Sequence, residues 1–432
     1  MMRVLWFVNM PLAAVARRQG KPLIHQGSWL DQLELALRHT PGLSLGIAAQ
    51  TESPYEPFRH EGVTYYGVGP MDVSMGGRRV AERWRRLVWP DTDVDLYRRV
   101  IREFRPDLVH VHGTEQRFGL LAGESLTPVV LSIQGVMSVC EIMETRGRDA
   151  SLLLSLSPSL FARGTGALLD HAALKGRARR ERDIIQRCRH IIGRTRFDAD
   201  FVRVLNPGAH YYHCDELIRP EFRAAIWEQG KSEPHTVYST AGGYARKGMG
   251  TLLRATALLR SGPAPQVRLR FAGAPDSRSE EGRATMREIR RLGLGDRVTS
   301  LGRVGPRDLV TELLAARVFA LPTHVDNSPN SLAEAMMVGT PCVASAAGGI
   351  PTLARDCIEA LLVQDGDPYA LAGAILRLLE DDQLALQLSA NARVGALERH
   401  DSQKVREALI GIYRAVLDDE QHRRSVGGRR EW

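Results

Sequence analysis

The stretch THVDNSPNSLAEAMMVGTPCVASAAGGIP (323–351) decides how this chain is read. An apolar run, VFALPT (318–323), leads into it and suits a short buried strand, while Asn-Ser-Pro-Asn-Ser (327–331) is turn chemistry. The spacing predicts a helix over about 331–338, opening near Asn330 or Ser331. Strand, turn and helix in that order set the amides of Asn330, Ser331 and Leu332, with Ser328 on the turn, at the strand's carboxyl edge. Free N–H donors and the helix dipole suit a phosphate there, and open α/β sheets bind ligands at that edge. Two acids flank the turn. Glu334 falls one turn inside the helix, where a carboxylate can accept two hydrogen bonds from the vicinal diol of a ribose. Asp326, on the loop, could reach the other end of a nucleotide sugar. A plainer alternative makes Glu334 a first-turn residue answering the dipole and Asp326 an ordinary turn former.

The same alternation runs outward in both directions. RVLWFVN (3–9), LSLGIAA (43–49), VTYYGVG (63–69), DLVHVHG (107–113), PVVLSIQG (128–135) and HIIGRT (190–195) alternate with helical patterns such as 28–39 and 94–104. TVYSTAGG (236–243), VRLRFAG (267–273), VTSLGRV (298–304), VFALPT, PCVASAAGG (341–349) and ALLVQDGD (360–367) restart the rhythm. Two complete α/β series predict two Rossmann-like domains. The first is expected over 1–214, a linker over 215–235, the second over 236–400, and a C-terminal helix with a basic, frayed tail over 401–432. The start, MMRVLWFVNMPLAAVARR, imitates a weak signal peptide, but one preceding charge and an interrupting proline favour a first strand.

Of 432 residues, 44% are hydrophobic and 25% charged, which excludes disordered, collagenous and disulfide-scaffold classes. Five scattered cysteines without a CxxC pair indicate neither a zinc site nor a disulfide framework, and point to a reducing compartment. Net charge is 58 − 50 = +8, and residues 1–205 hold +7 of it. That asymmetry, with the basic pattern LKGRARRERDIIQRCR inside 137–189, suggests an anionic partner such as a membrane surface; a solvated arginine face is the plain alternative. No run reaches the roughly 18 apolar residues of a spanning helix. No helix-turn-helix, zinc-finger or RNA-stacking signature accompanies the charge, so nucleic acid is not expected. Asp91-Thr92-Asp93 spells a metal-binding DxD, but its place before a helix reads as capping. No GxGxxG follows a strand, which disfavours a nicotinamide or flavin enzyme.

Residues 323–351 resemble the E-x7-E region of retaining GT-B glycosyltransferases of family GT4, with Asp326 where that family has its first glutamate and Glu334 as the second. STAGGYARKGMGTLLRATALL (239–259) is similar to the family's strand–loop–Lys-Gly–helix segment, which implies that Lys247, helped by Arg246, neutralises a donor diphosphate. The position six residues before the lysine, often a second cation, is Ala241. LGRV (301–304) resembles the base-contacting loop and brings in Arg303; His112 resembles the histidine that faces the donor sugar, and Gly27 the glycine loop near the phosphates. The resemblance covers about 1–420 and is densest over 236–351.

It implies an α/β GT-B fold, two Rossmann-like domains facing across a cleft, with a C-terminal helix that could return to the first. It also implies ribose binding by Glu334, donor-sugar contact by Asp326, and front-face attack helped by the leaving phosphate. The expected protein is a retaining transferase with no metal and no cofactor beyond a UDP- or GDP-linked sugar as co-substrate. Its expected acceptor is a glycan or lipid-linked oligosaccharide of bacterial surface polysaccharide synthesis, and its expected place the cytoplasm or the inner membrane face. A soluble natural-product acceptor, an inactive nucleotide-sugar-binding partner and an epimerase are the alternatives. His112 and Glu115 lie near the expected chemistry without an assigned role as base.

Overall fold

The computed structural model describes residues 1–20, 28–51, 55–68, 94–123, 125, 127–144, 167–242, 245–273 and 280–427. The first sheet contains β1 (Met2–Val8), β2 (Leu43–Gln50), β3 (Phe58–His60), β4 (Val63–Val68), β5 (Leu108–His112), β6 (Val129–Ser132), β7 (His190–Gly193) and β8 (His210–His213). Their order is β3-β4-β2-β1-β5-β6-β7-β8, parallel throughout except for the β3–β4 edge. Val4 to Val8 are fully buried, as expected of a central parallel strand covered on both faces. The apolar start is therefore a strand. The spacing did not show β3 and β8: one has three residues, and the other, HYYH, is a polar-ended edge.

The second sheet contains β9 (Glu233–Ser239), β10 (Arg268–Ala272), β11 (Val298–Gly302), β12 (Ala316–Leu321), β13 (Cys342–Ser345) and β14 (Leu361–Val363), in the order β11-β10-β9-β12-β13-β14. Every neighbouring pair is parallel. Strand order thus reverses between β1 and β5 in one sheet and between β9 and β12 in the other. At such a switch point the loops diverge to opposite faces and leave a crevice over the strand ends.

The chain divides into two compact units. The first gathers Met1–Ser138, Leu156–Leu217 and Asp401–Trp432, and the second Val139–Ser155 and Ile218–His400, as far as their residues are described. The stretch expected as a linker, 215–235, is packed: Phe222 and Trp227 are buried against Phe319, Leu332 and Met336, and Trp227 Nε1 donates to the Ala316 carbonyl at 2.8 Å. Two aromatic side chains in a turn-rich connector give it a core of its own to join. The interrupting segment 137–189 contributes the helices Met137–Met143 and Ala167–Arg187. The tail expected to fray is helical to Gly427, within the helix Ser402–Gly427. Residues 91–93 lie outside the described residues. Among the described residues no helix is long and apolar enough to cross a membrane.

That last helix packs on the first sheet through Val405, Leu409, Tyr413 and Val416. Tyr413 is fully buried; its hydroxyl accepts from Trp6 Nε1 at 3.0 Å and meets His110 Nδ1 at 2.7 Å. Arg189 holds the same helix by both arms on Asp419, at 2.8 and 3.2 Å. Tyr413→Phe leaves the indole and the imidazole without that partner. It should lower the unfolding free energy of the unit by about 1–3 kcal/mol, as buried polar groups left unpaired do, read from urea denaturation. Wild-type stability would show that the hydroxyl is dispensable.

Candidate active site

The second sheet's switch point is assembled from two loops. Lys247 ends a short 3-10 turn, Ala245–Lys247, in the loop after β9, and Gly248 opens the helix Met249–Ser261. Gly248 has φ +76°, and a Cβ there would collide with the carbonyl of Pro322, the first residue after β12. Only glycine fits both the left-handed turn and the close approach. The Arg246 carbonyl then accepts from the His324 amide at 2.8 Å and the Thr323 hydroxyl at 3.1 Å, stitching the two loops together. Gly348 (φ +56°) plays the same part beyond β13: a Cβ would strike the Asp326 backbone, and the next amide, Gly349, donates to the Asp326 carbonyl at 2.9 Å.

Two expected site residues, Lys247 and Asp326, come together on this frame. Lys247 Nζ forms an ion pair with Asp326 Oδ2, both side chains partly exposed. The helix Asn330–Val338 begins beside that loop with Pro329 as its N-cap and no side-chain cap. The amides of Asn330 and Ser331 have no partner among the described residues. The amide of Leu332, expected to be a third free donor, instead bonds to the Pro329 carbonyl at 3.0 Å, and its side chain is fully buried in the core. A tight first turn consumes that donor. Ser328, Asn330 and Ser331 are half-buried, and Arg303 is exposed at the end of β11. Ala241 is fully buried among apolar residues, so a cation's absence there is matched by packing. Gly27 lies outside the described residues.

Glu334 is 7% exposed, one turn into the helix. Its Oε1 accepts from Arg219 Nε at 3.1 Å and also from Nη2. Burial pushes the carboxyl above its ordinary value, and the Arg219 charge pulls the other way. Arg219 was missed because it stands 115 residues from its partner, just before the helix Pro220–Ala224. His324 and Asp365 form a second unforeseen pair, Nδ1 to Oδ1 at 2.5 Å. Arg219→Ala would strand a buried carboxylate, a change that costs about 3–5 kcal/mol in buried pairs. Urea denaturation of that variant should show the loss, and a cost under about 1 kcal/mol would mean the pair is open to solvent.

In the first unit His112 ends β5 and is 1% exposed, packed between Trp6 (ring centroids 4.7 Å apart) and Trp29 (5.6 Å). Neither ring nitrogen has a hydrogen-bond partner among the described residues. Burial, then the charges of His110 and Arg194, hold its pKa well below the ordinary value, so the ring is neutral. Glu115 follows three residues later with Oε2 shielded from water. Burial pushes this carboxyl from 4.5 up to about 7, opposed by the amides of Glu115 and Gly135 and by Arg194, and reinforced by Glu181. Between those pH values the folded protein keeps a proton that the unfolded chain has released. The group's contribution to stability is therefore full below pH 4.5 and lost as pH rises to about 7. Glu115→Gln should flatten that slope of unfolding free energy against pH; an unchanged slope would place the titration elsewhere.

Residues 234–381, all within the second unit, match the family model described as Glycosyl transferases group 1. A D-inositol 3-phosphate glycosyltransferase of Saccharomonospora viridis is 34% identical over 224 residues, 50% of this chain and 51% of that protein. An N-acetyl-alpha-D-glucosaminyl L-malate synthase of Bacillus anthracis is 31% identical over 135 residues, 31% of this chain and 35% of that protein. The chain thus spans about half the length of the first relative and about a third of the second. Among solved structures, sucrose-phosphate synthase from Thermosynechococcus elongatus is similar with a TM-score of 0.69 at 18% identity, covering 97% of this chain and 100% of that one. The HepE protein of Anabaena, solved with UDP, gives 0.63 at 17% identity, with 96% and 100% covered. At these identities the likeness concerns the fold, which is that of the GT-B glycosyltransferases. Residues 234–381 thus match the group 1 glycosyltransferase model, in a chain with the GT-B fold.

Proposed function

We propose that the chain is a retaining, metal-independent glycosyltransferase that moves a sugar from a UDP- or GDP-linked donor to a glycan or lipid-linked acceptor in surface polysaccharide synthesis. The observation that carries the reading is the placement of Lys247 beside the unpartnered amides of Asn330 and Ser331 at the switch point of a group 1 domain. A cation and two N–H donors at one strand edge suit a diphosphate, whose charge grows as the glycosidic bond breaks. In the unliganded protein Asp326 balances Lys247. A bound diphosphate would draw the ammonium away and free the carboxylate for the donor sugar. Glu334, held by Arg219, keeps a carboxylate within the first turn for ribose hydroxyls. HepE, which shares the fold, has been solved with UDP and with UDP-glucose.

The acceptor rests on different support. A first half with a net charge of +7 favours an anionic membrane face and a lipid-linked glycan. The names of the two relatives, with inositol 3-phosphate and L-malate, favour a second reading, a small soluble hydroxylated acceptor. Flotation with anionic vesicles separates them: salt-sensitive binding supports the first reading, and its absence the second.

Thermal shift against UDP, GDP, ADP, dTDP and CDP tests the donor site. A nucleotide at 100 times its dissociation constant should add about 2.7 kcal/mol of stability. Lys247→Ala should remain folded and lose about 10²–10³ in kcat, the cost of one preorganised donor to a developing anion. Full turnover in that variant, or no shift with any nucleotide, would refute the reading.

A further inference from the structure

At the amino end of β7, the end of the first sheet opposite its switch-point crevice, three side chains with ligating atoms converge. His190 is the first residue of β7 and is 1% exposed, while Asp419 and Glu420 come from the last helix, Ser402–Gly427. His190 Nε2 stands 3.3 Å from Asp419 Oδ2 and 3.5 Å from Glu420 Oε1, and the ligating atoms all lie within 4.8 Å of one another. A hydrogen on Nε2 would meet neither oxygen in hydrogen-bond geometry, so this buried nitrogen has no such partner among the described residues. The other ring nitrogen, Nδ1, is engaged by the Tyr212 hydroxyl at 3.2 Å, and the ring stacks on His210 with centroids 5.4 Å apart. These two contacts fix the plane of the imidazole and aim Nε2 at the carboxylates.

Ligands about 2.0–2.1 Å from a tetrahedral ion stand about 3.3 Å apart, close to the spacing from Nε2 to both oxygens. One imidazole nitrogen with two carboxylate oxygens suits zinc, whereas calcium and magnesium take oxygen ligands. Both carboxylates also have guanidinium partners: Arg189 donates to Asp419 at 2.8 and 3.2 Å, and Arg423 to Glu420 at 3.0 Å. His210 Nε2 lies 3.8 Å from Asp419 Oδ1. A carboxylate offers about four lone-pair sites, so each arginine leaves acceptor capacity for an ion and orients the group as outer-shell partners do. Both guanidiniums are partly exposed, so their repulsion of a cation is screened. A cavity of about 430 Å³, lined among others by Ser125, Thr127, Asn206, His190 and Glu420, gives water and an ion a way in. We propose that His190 Nε2, Asp419 Oδ2 and Glu420 Oε1 bind one zinc ion, with water as fourth ligand, and that the ion pins the last helix to β7. The site belongs wholly to the first unit and does not depend on the transferase reading.

The test uses the untagged full chain, dialysed against EDTA and then against metal-free buffer. Calorimetry with zinc chloride should show one site per chain with a micromolar Kd, and zinc should raise the unfolding midpoint until EDTA is added back. Asp419→Asn and Glu420→Gln keep the shape of each side chain, and each should weaken zinc binding about tenfold or more. Both positions lie on the last helix and are partly exposed, so one variant guards the other against misfolding. A role limited to the arginine pairs would lower the zinc-free midpoint and leave the zinc-induced rise intact, which overturns the proposal. Cobalt(II) in place of zinc should give the visible absorption of a tetrahedral nitrogen–oxygen site. An added near-ultraviolet thiolate band would assign the metal to cysteine and overturn it. So would the lack of saturable binding at one equivalent, or variants that bind zinc as wild type does.

Discussion

The loops after β9 and β12 can share one switch point only because Gly248 has no side chain. Any Cβ at that position would occupy the space of the Pro322 carbonyl, and any other residue would resist the left-handed turn. Once the two backbones meet, Thr323 and His324 bond to the Arg246 carbonyl, and Lys247 forms its ion pair with Asp326. Gly348 repeats the device from the β13 side by admitting the Asp326 backbone. The position of a cation beside a helix start is thus set by backbone contact between strands that are neighbours in the sheet. A side chain held this way loses little further freedom when a ligand arrives, which is how preorganised charge becomes useful in catalysis.

Charge at the site is arranged in pairs of different depth. Lys247 and Asp326 are partly exposed, so their mutual attraction is modest and a multivalent anion can compete for the lysine. Glu334 and Arg219 are deeper, and there neither member can leave without stranding the other. One pair is suited to exchange partners and the other to hold a carboxylate still. The loop and the helix that follows it therefore carry a labile contact and a fixed one, eight residues apart in sequence.

Local chemistry made most of this legible. Apolar runs of strand length, glycine pairs and the turn Asn-Ser-Pro-Asn-Ser marked twelve of the strands and the helix at Asn330, because each is decided by neighbours in sequence. Lys247, Asp326 and Glu334 were found as single residues, but not the company they keep. Arg219 and His324–Asp365 are long-range pairs between ordinary residue types, with no spacing to announce them. The apparent linker was misjudged for a related reason: turn residues at its ends outweighed Phe222 and Trp227, whose burial depends on a sheet assembled elsewhere. Leu332 shows the converse limit. Its place in a helix start was right, but the first turn's tightness, which consumed its amide, is set by geometry that composition does not carry.

The two sheets carry different polar chemistry at equivalent places. At its switch point the second has the partly exposed Lys247–Asp326 ion pair, close in sequence to a helix start without a side-chain cap. At its own switch point the first has the buried Glu115 carboxyl, which burial pushes up to about 7, near the neutral imidazole of His112. Gly248 and Gly113 stand at these two edges, each at a φ that a side chain would resist, and each leaves room for a group where a Cβ would be: the Pro322 carbonyl in one case and the Glu115 carboxyl in the other. An exposed ion pair can exchange partners with an arriving anion, whereas a buried carboxyl is held to its neutral form over a wider range of pH. The same backbone device thus serves a labile charge in one sheet and a muted one in the other.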